Sequence, residues 1–211
     1  MYLGYHQLPD TDTFGPWRYT ARSSKAPRAP LEEIESMRTN TFKFLFDEIA
    51  LLEDDLVIVE TGTIRQADWA ASDGHSTVKF VEVVEKRPNT EFYTIDTDPL
   101  AIQTSKDVIT KKFKGIPDGV TFIESPANEF LATFNKEIDI LYLDSANDAD
   151  ITLNEYLSAK NLLKPTSIVM VDDADRNNPR LNKWKKVVGE MIRDDWTVRM
   201  WEYQCILTRC K

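Results

Sequence analysis

At 211 residues the chain suits one domain, or one domain with an appendage, and is long enough to bury a large core. A hydrophobic share of 42% is ordinary for a soluble globular protein, and a net charge of −9 argues against a protein that grips a phosphate backbone by counterion release. No apolar run approaches the ~18 residues of a membrane span, and no basic segment with an apolar core opens the chain, so the expectation is a cytoplasmic protein that contacts neither membrane nor nucleic acid.

Residues 1–30 differ in character from the rest of the chain. They hold Pro9, Pro16, Pro27 and Pro30 together with Tyr2, Tyr5, Phe14, Trp17 and Tyr19. The prolines forbid regular helix, yet so many aromatics are too apolar for a simple tail. This reads as an irregular N-terminal arm packed on the remaining domain, 31–211, or on a second subunit of a homo-oligomer. From Leu31 to Ala50 the apolar spacing is helical, with a break expected near Thr39-Asn40. A strand is predicted at 56–60, a helix over 76–85 and a strand at 91–96. Asp98 as N-cap and Pro99 at the first helical position then open a helix to Phe113. Strands are predicted next at 120–124 and 138–144, a helix at 151–163 stopped by Lys164-Pro165, and a strand at 167–172. A helix at 184–192 and a hairpin of 196–201 with 204–208 complete the pattern. Cys205 and Cys210 lack metal-ligand spacing and read as free thiols.

Short continuous apolar runs alternating with helices predict an α/β fold, a doubly wound and mostly parallel Rossmann-like sheet with a C-terminal antiparallel hairpin. In such a sheet the ligand sits at the carboxyl ends of the strands. Here those ends carry Glu60, Asp96, Glu124, Asp144 and the pair Asp172-Asp173. An edge lined with acids suits a ligand rich in hydroxyls, ammonium groups or cations.

The dinucleotide fingerprint G-x-G-x-x-G and the phosphate loop G-x-x-x-x-G-K-[ST] are both absent, which disfavours a pyrophosphate ligand and a nicotinamide oxidoreductase. Glu60-Thr61-Gly62-Thr63 comes after the first strand, and Gly74-His75-Ser76 opens the next helix. Together with the block Ile138 to Asp144, Leu162-Leu163-Lys164-Pro165 and Ile168 to Asp173, these residues make the chain resemble class I S-adenosylmethionine-dependent methyltransferases, above all the small O-methyltransferases of the catechol and caffeoyl-CoA type. Their E-x-G-x-x-x-G-x-S turn is split here by an insertion over 64–73.

The resemblance implies methyl transfer from S-adenosylmethionine to an oxygen of a small-molecule acceptor. It implies cofactor contacts by Glu60, Gly62, Thr63, Ser76, Asp96, Ala127, Asn128 and Asp144, with Asp96 on the ribose hydroxyls and Ala127 and Asn128 at the adenine. It also implies a divalent ion, Mg²⁺ or else Ca²⁺ or Mn²⁺, on Asp144, Asp172 and Asp173, where Asp173 replaces the family's Asn. The lysine that deprotonates the acceptor in catechol-type enzymes is Asn147 here, which cannot act as a base. Either the ion lowers the acceptor's pKa without a base, or another group such as His75 or Asp73 serves, or the ion is absent; Asp144 and His75 are the catalytic candidates. Lys183, Lys185 and Lys186 read as the solvated face of the last helix, and Trp17, Tyr19 and Trp69 as walls of an acceptor pocket. The alternative reading is a non-catalytic Rossmann-like protein that binds a nucleoside or sugar nucleotide.

Overall fold

The computed structural model describes residues 31–52, 55–68 and 76–209; the arm 1–30 lies outside the described residues. Helices α1 Leu31–Ile49, α2 Ser76–Lys86, α3 Pro99–Phe113, α4 Ala127–Thr133, α5 Ala149–Ala159 and α6 Trp184–Arg193 alternate with strands β1 Val57–Thr61, β2 Glu91–Asp96, β3 Val120–Glu124, β4 Ile138–Leu143 and β5 Leu163–Val171. Strands β6 Trp196–Trp201 and β7 Cys205–Arg209 close the fold. The sheet order is β3-β2-β1-β4-β5-β7-β6. The first five strands pair in parallel, and β7 enters antiparallel between β5 and β6. The doubly wound sheet and its terminal hairpin are therefore as expected.

All six residues of β4 are buried, because strands at the centre of the sheet are covered on both faces. Their side chains alternate: Ile138, Leu141 and Leu143 pack with α4, α5 and α6, whereas Ile140 and Tyr142 pack with α1, α2 and α3. On the second face Phe42, Phe80 and Tyr142 meet with ring centroids 5.6–6.1 Å apart, Phe80 and Phe92 at 5.5 Å. Burying each such ring or branched side chain stabilises the fold by roughly 1.5–3 kcal/mol.

Two local expectations are corrected and one helix is added. Helix α1 runs unbroken through Thr39-Asn40, because the Thr39 and Thr41 hydroxyls donate back to the carbonyls of Glu35 (2.8 Å) and Met37 (3.1 Å) without leaving the helix. Helix α4 forms over a segment whose sequence shows no helical period, and Pro126 precedes it. Helix α5 ends at Ala159, not 163, since Leu163 already pairs with Ile138 at the start of β5. Pro165 is tolerated there because the register slips between the Ile138–Leu163 and Ile140–Ile168 pairs, a bulge that asks no hydrogen bond of the proline. Asp98 caps α3 as predicted, accepting from the Leu100 amide at 2.9 Å, with Pro99 as the first helical residue. Cys205 is a buried free thiol, and Cys210 lies outside the described residues. Among the described residues no helix is long and apolar enough to cross a membrane.

Candidate functional site

The strand order reverses between β1 and β4, so the carboxyl ends of these two strands flank the crevice where ligands bind in open α/β sheets. Gly62 makes this close approach possible. It adopts φ +89°, and a Cβ built on it would lie 2.4 Å from the Asp144 carbonyl oxygen. A side chain would be strained and would clash with backbone.

Glu60, expected to face a ligand, instead has a fully buried side chain. Its carboxylate accepts from the hydroxyls of Ser76 (2.5 Å), Thr77 (2.7 Å) and Thr94 (2.8 Å). Glu60 and Ser76 thus fasten the start of α2 to β1 and β2 and stand behind the Gly62 turn. Burial pushes the Glu60 carboxyl up to about 7, despite the three hydroxyl donors. Thr63 is half-buried; its amide donates to Asp96 Oδ2 (3.3 Å) and its hydroxyl to Ser105 Oγ (2.8 Å). Asp96 is half-buried at the end of β2 and takes the Asp98 amide at Oδ1 (2.9 Å). Each oxygen holds one backbone amide, which leaves lone pairs for two further donors such as vicinal hydroxyls. Ala127 begins α4 and is buried, with Asn128 exposed beside it. His75, Asp73, Trp17, Tyr19 and Trp69 lie outside the described residues.

The remaining acids meet at the ends of β4 and β5. Asp144 comes directly after β4, Asp172 and Asp173 after β5, and one oxygen of each lies within 4.8 Å of the others. Asp173 holds φ +49°, a left-handed conformation that Asp and Asn tolerate better than most residues. Two cations that sequence reasoning missed enter this cluster. Lys183 Nζ contacts Asp144 Oδ1 at 2.5 Å and Asp173 Oδ2 at 3.3 Å, and its side chain is only 3% exposed. Arg38, on α1, reaches Asp172 Oδ2 at 3.0 Å and Asp173 Oδ1 at 3.7 Å while lying over the Tyr203 ring. Gln204 Nε2 is placed to donate to Asp172 Oδ1 (2.7 Å) or the Tyr142 hydroxyl (2.9 Å), and its carbonyl accepts from Thr41.

Lys183 is thus not part of a solvated face. Asn147 helps to deliver it: its Nδ2 donates to the Arg180 carbonyl and its Oδ1 accepts the Asn182 amide, both at 2.7 Å. Beneath the cluster the Thr61 hydroxyl donates to buried Glu155 at 2.9 Å, and the Thr61 carbonyl accepts the Asp144 amide at 2.9 Å. Burial would raise Asp172, but Arg38 and then Lys183 outweigh it and hold that carboxyl down to about 2. Burial and the neighbouring Asp172 charge raise Asp144 well above the usual carboxylate range. Burial would lower the Lys183 ammonium, yet Asp144 and Asp173 raise it, so it stays charged.

Residues 71–174 match the family described as a methyltransferase domain. The sheet is that of a Rossmann-like methyltransferase fold. No curated protein matches the chain. Among solved structures, the domain is similar to the S-adenosylhomocysteine-bound methyltransferase of Podospora anserina, at 17% identity over 90% of this chain and 91% of that one, with a TM-score of 0.58. A candidate O-methyltransferase of Klebsiella pneumoniae is 17% identical over 89% and 93%, with a TM-score of 0.57. A candidate rRNA methylase of Clostridium thermocellum is 14% identical over 75% and 90%, with a TM-score of 0.52. At these identities the likeness is one of fold.

Within this methyltransferase domain the three acids converge as the resemblance implies, but the donor set does not fit a divalent ion. Hard cations need several open oxygens. Here both oxygens of Asp172 and of Asp173 have cationic or amide partners, and Asp144 Oδ1 has the Lys183 ammonium. The Lys183 ammonium already bridges Asp144 and Asp173.

Proposed function

We propose that this methyltransferase domain binds S-adenosylmethionine across the ends of β1 and β2 and passes its methyl group to an oxygen of a small-molecule acceptor. The observation that carries this reading is the contact of Gly62 with Asp144 across the switch in strand order, which brings a side-chain-free turn beside an acid cluster. Asp96 supports it, with free lone pairs for the ribose hydroxyls, and Ala127 and Asn128 lie at the next strand end for the adenine. The oxygen acceptor is supported by the motif block ending in Asp144 and Asp172-Asp173, which resembles that of the small O-methyltransferases.

When bound, the sulfonium supplies an already activated methyl group. The protein has to align the acceptor in line with it and remove a proton. Asp144 is the residue proposed for the proton. Its backbone carbonyl lies against the Gly62 turn, which sets the acid beside the proposed cofactor position. Asn147 holds the segment bearing Lys183, and so the position of Asp144.

Isothermal calorimetry tests the reading directly. S-adenosylhomocysteine should bind the native protein, and Asp96→Ala should lose about 1.5–3 kcal/mol of that affinity through lost charge-assisted hydrogen bonds. Absence of binding to the native protein ends the proposal. Binding with no methyl transfer to any hydroxylated acceptor would instead select a nucleoside-binding protein.

A further inference from the structure

We propose that Lys183 occupies the place of a divalent cation, so that this centre is metal-independent and carries its positive charge on its own chain. The proposal builds on the methyltransferase reading, but the geometry behind it concerns only the acid cluster. Asp144, Asp172 and Asp173 bring three formal negative charges together, and Lys183 and Arg38 bring two positive ones. Without them, carboxylates held within 4.8 Å of one another would repel strongly in a largely buried site. An ammonium that is only 3% exposed would itself be costly to bury without those acids, so each group accounts for the other.

The arrangement is built into the fold and does not depend on a wandering surface chain. Lys183 occupies the N-cap position of α6, directly after the segment that Asn147 clamps at Arg180 and Asn182. Arg38 projects from α1 and reaches Asp172 and Asp173. Gln204 fills the remaining approach to Asp172. A metal ion bridging Asp144 and Asp173 would have to displace Lys183 from its contacts with both. Lys183 is a positioning residue in this scheme: it fixes and neutralises Asp144 and Asp173.

Titration of the full chain with Mn²⁺, monitored by electron paramagnetic resonance, tests this without any assay of activity. The native protein should leave millimolar Mn²⁺ free, and Mg²⁺, Mn²⁺ or Ca²⁺ should leave its melting temperature unchanged. Lys183→Met strips the three acids of one cation, and it should gain Mn²⁺ binding with a metal-dependent rise in Tm of about 5 °C or more. Lys183→Arg keeps the charge and should remain indifferent to Mn²⁺. Uptake of Mn²⁺ by the native protein, or a folded Lys183→Met protein that does not take it up, overturns the proposal. If Lys183→Met does not fold, the native and Lys183→Arg titrations decide, and uptake by either overturns it. Calorimetry with S-adenosylhomocysteine is independent of these outcomes, so a failure there removes the functional reading and leaves this one standing.

Discussion

Glu60 shows how a single buried carboxyl can set the pH response of the whole fold. Its ordinary value is 4.5 and burial raises it to about 7 in the folded protein. A folded value above the unfolded one means that the stabilising contribution is complete below pH 4.5 and lost as pH rises through 7. That shift corresponds to about 3 kcal/mol. Glu60→Gln should therefore flatten stability between pH 5 and pH 8, read from urea unfolding at each pH; an unchanged slope would mean that Glu60 ionises no differently when folded. Gly62→Ala should cost about 1–3 kcal/mol from its positive φ alone, with a further penalty from the Asp144 clash, and calorimetry should show S-adenosylhomocysteine affinity falling with it. Retained stability and affinity would show that the turn relaxes freely. At this scale the acids are legible because they end apolar runs, whereas the two cations are not. Yet Lys183 stands four residues before Val187 and eight before Met191, and Arg38 stands between Ile34 and Phe42 at the same spacing. Both occupy the apolar stripe of their helix, and a charge on that stripe is the signal of a buried partner.

Among the elements, strands are more legible than helix ends. Apolar runs mark β1, β2, β4 and β5 because each has buried residues on both faces, and the edge strand β3 because its apolar residues are partly covered, while α4 is only seven residues long and too short for a periodic pattern. The α5–β5 boundary is misleading in sequence because Lys164-Pro165 suggests a helix stop, although the proline in fact sits in a strand bulge. The segment 174–183 has no periodicity at all, and its path depends on side-chain bonds that sequence does not display. Asn147 makes two of them. Asn147→Ala should cost about 1–2 kcal/mol and speed hydrogen exchange across 174–183 while leaving the amides of β1 protected. Uniform acceleration over the whole sheet would show that this residue supports the fold rather than that one segment.

For the molecule as a whole, the doubly wound sheet is legible from the alternation of elements, but the acceptor is not, because one fold hosts many acceptors. Net charge narrows the choice. With −9 overall, fluorescence anisotropy at low salt should show no tight, salt-dependent binding of duplex RNA, as befits a small-molecule acceptor. A submicromolar, steeply salt-dependent affinity would point to a nucleic-acid acceptor instead. One feature of the sheet also governs the order of assembly. Strand β7 follows β6 in sequence yet is inserted between β5 and β6, and Gln204 just before it reaches Asp172. While the polypeptide emerges from the ribosome, the flank of β5 stays open until Cys205–Arg209 has been made, with Ile206 and Leu207 still to be buried. Every folding intermediate formed before β7 therefore exposes a bare strand margin prone to intermolecular pairing, and Asp172 gains its Gln204 partner only once that stretch has been made.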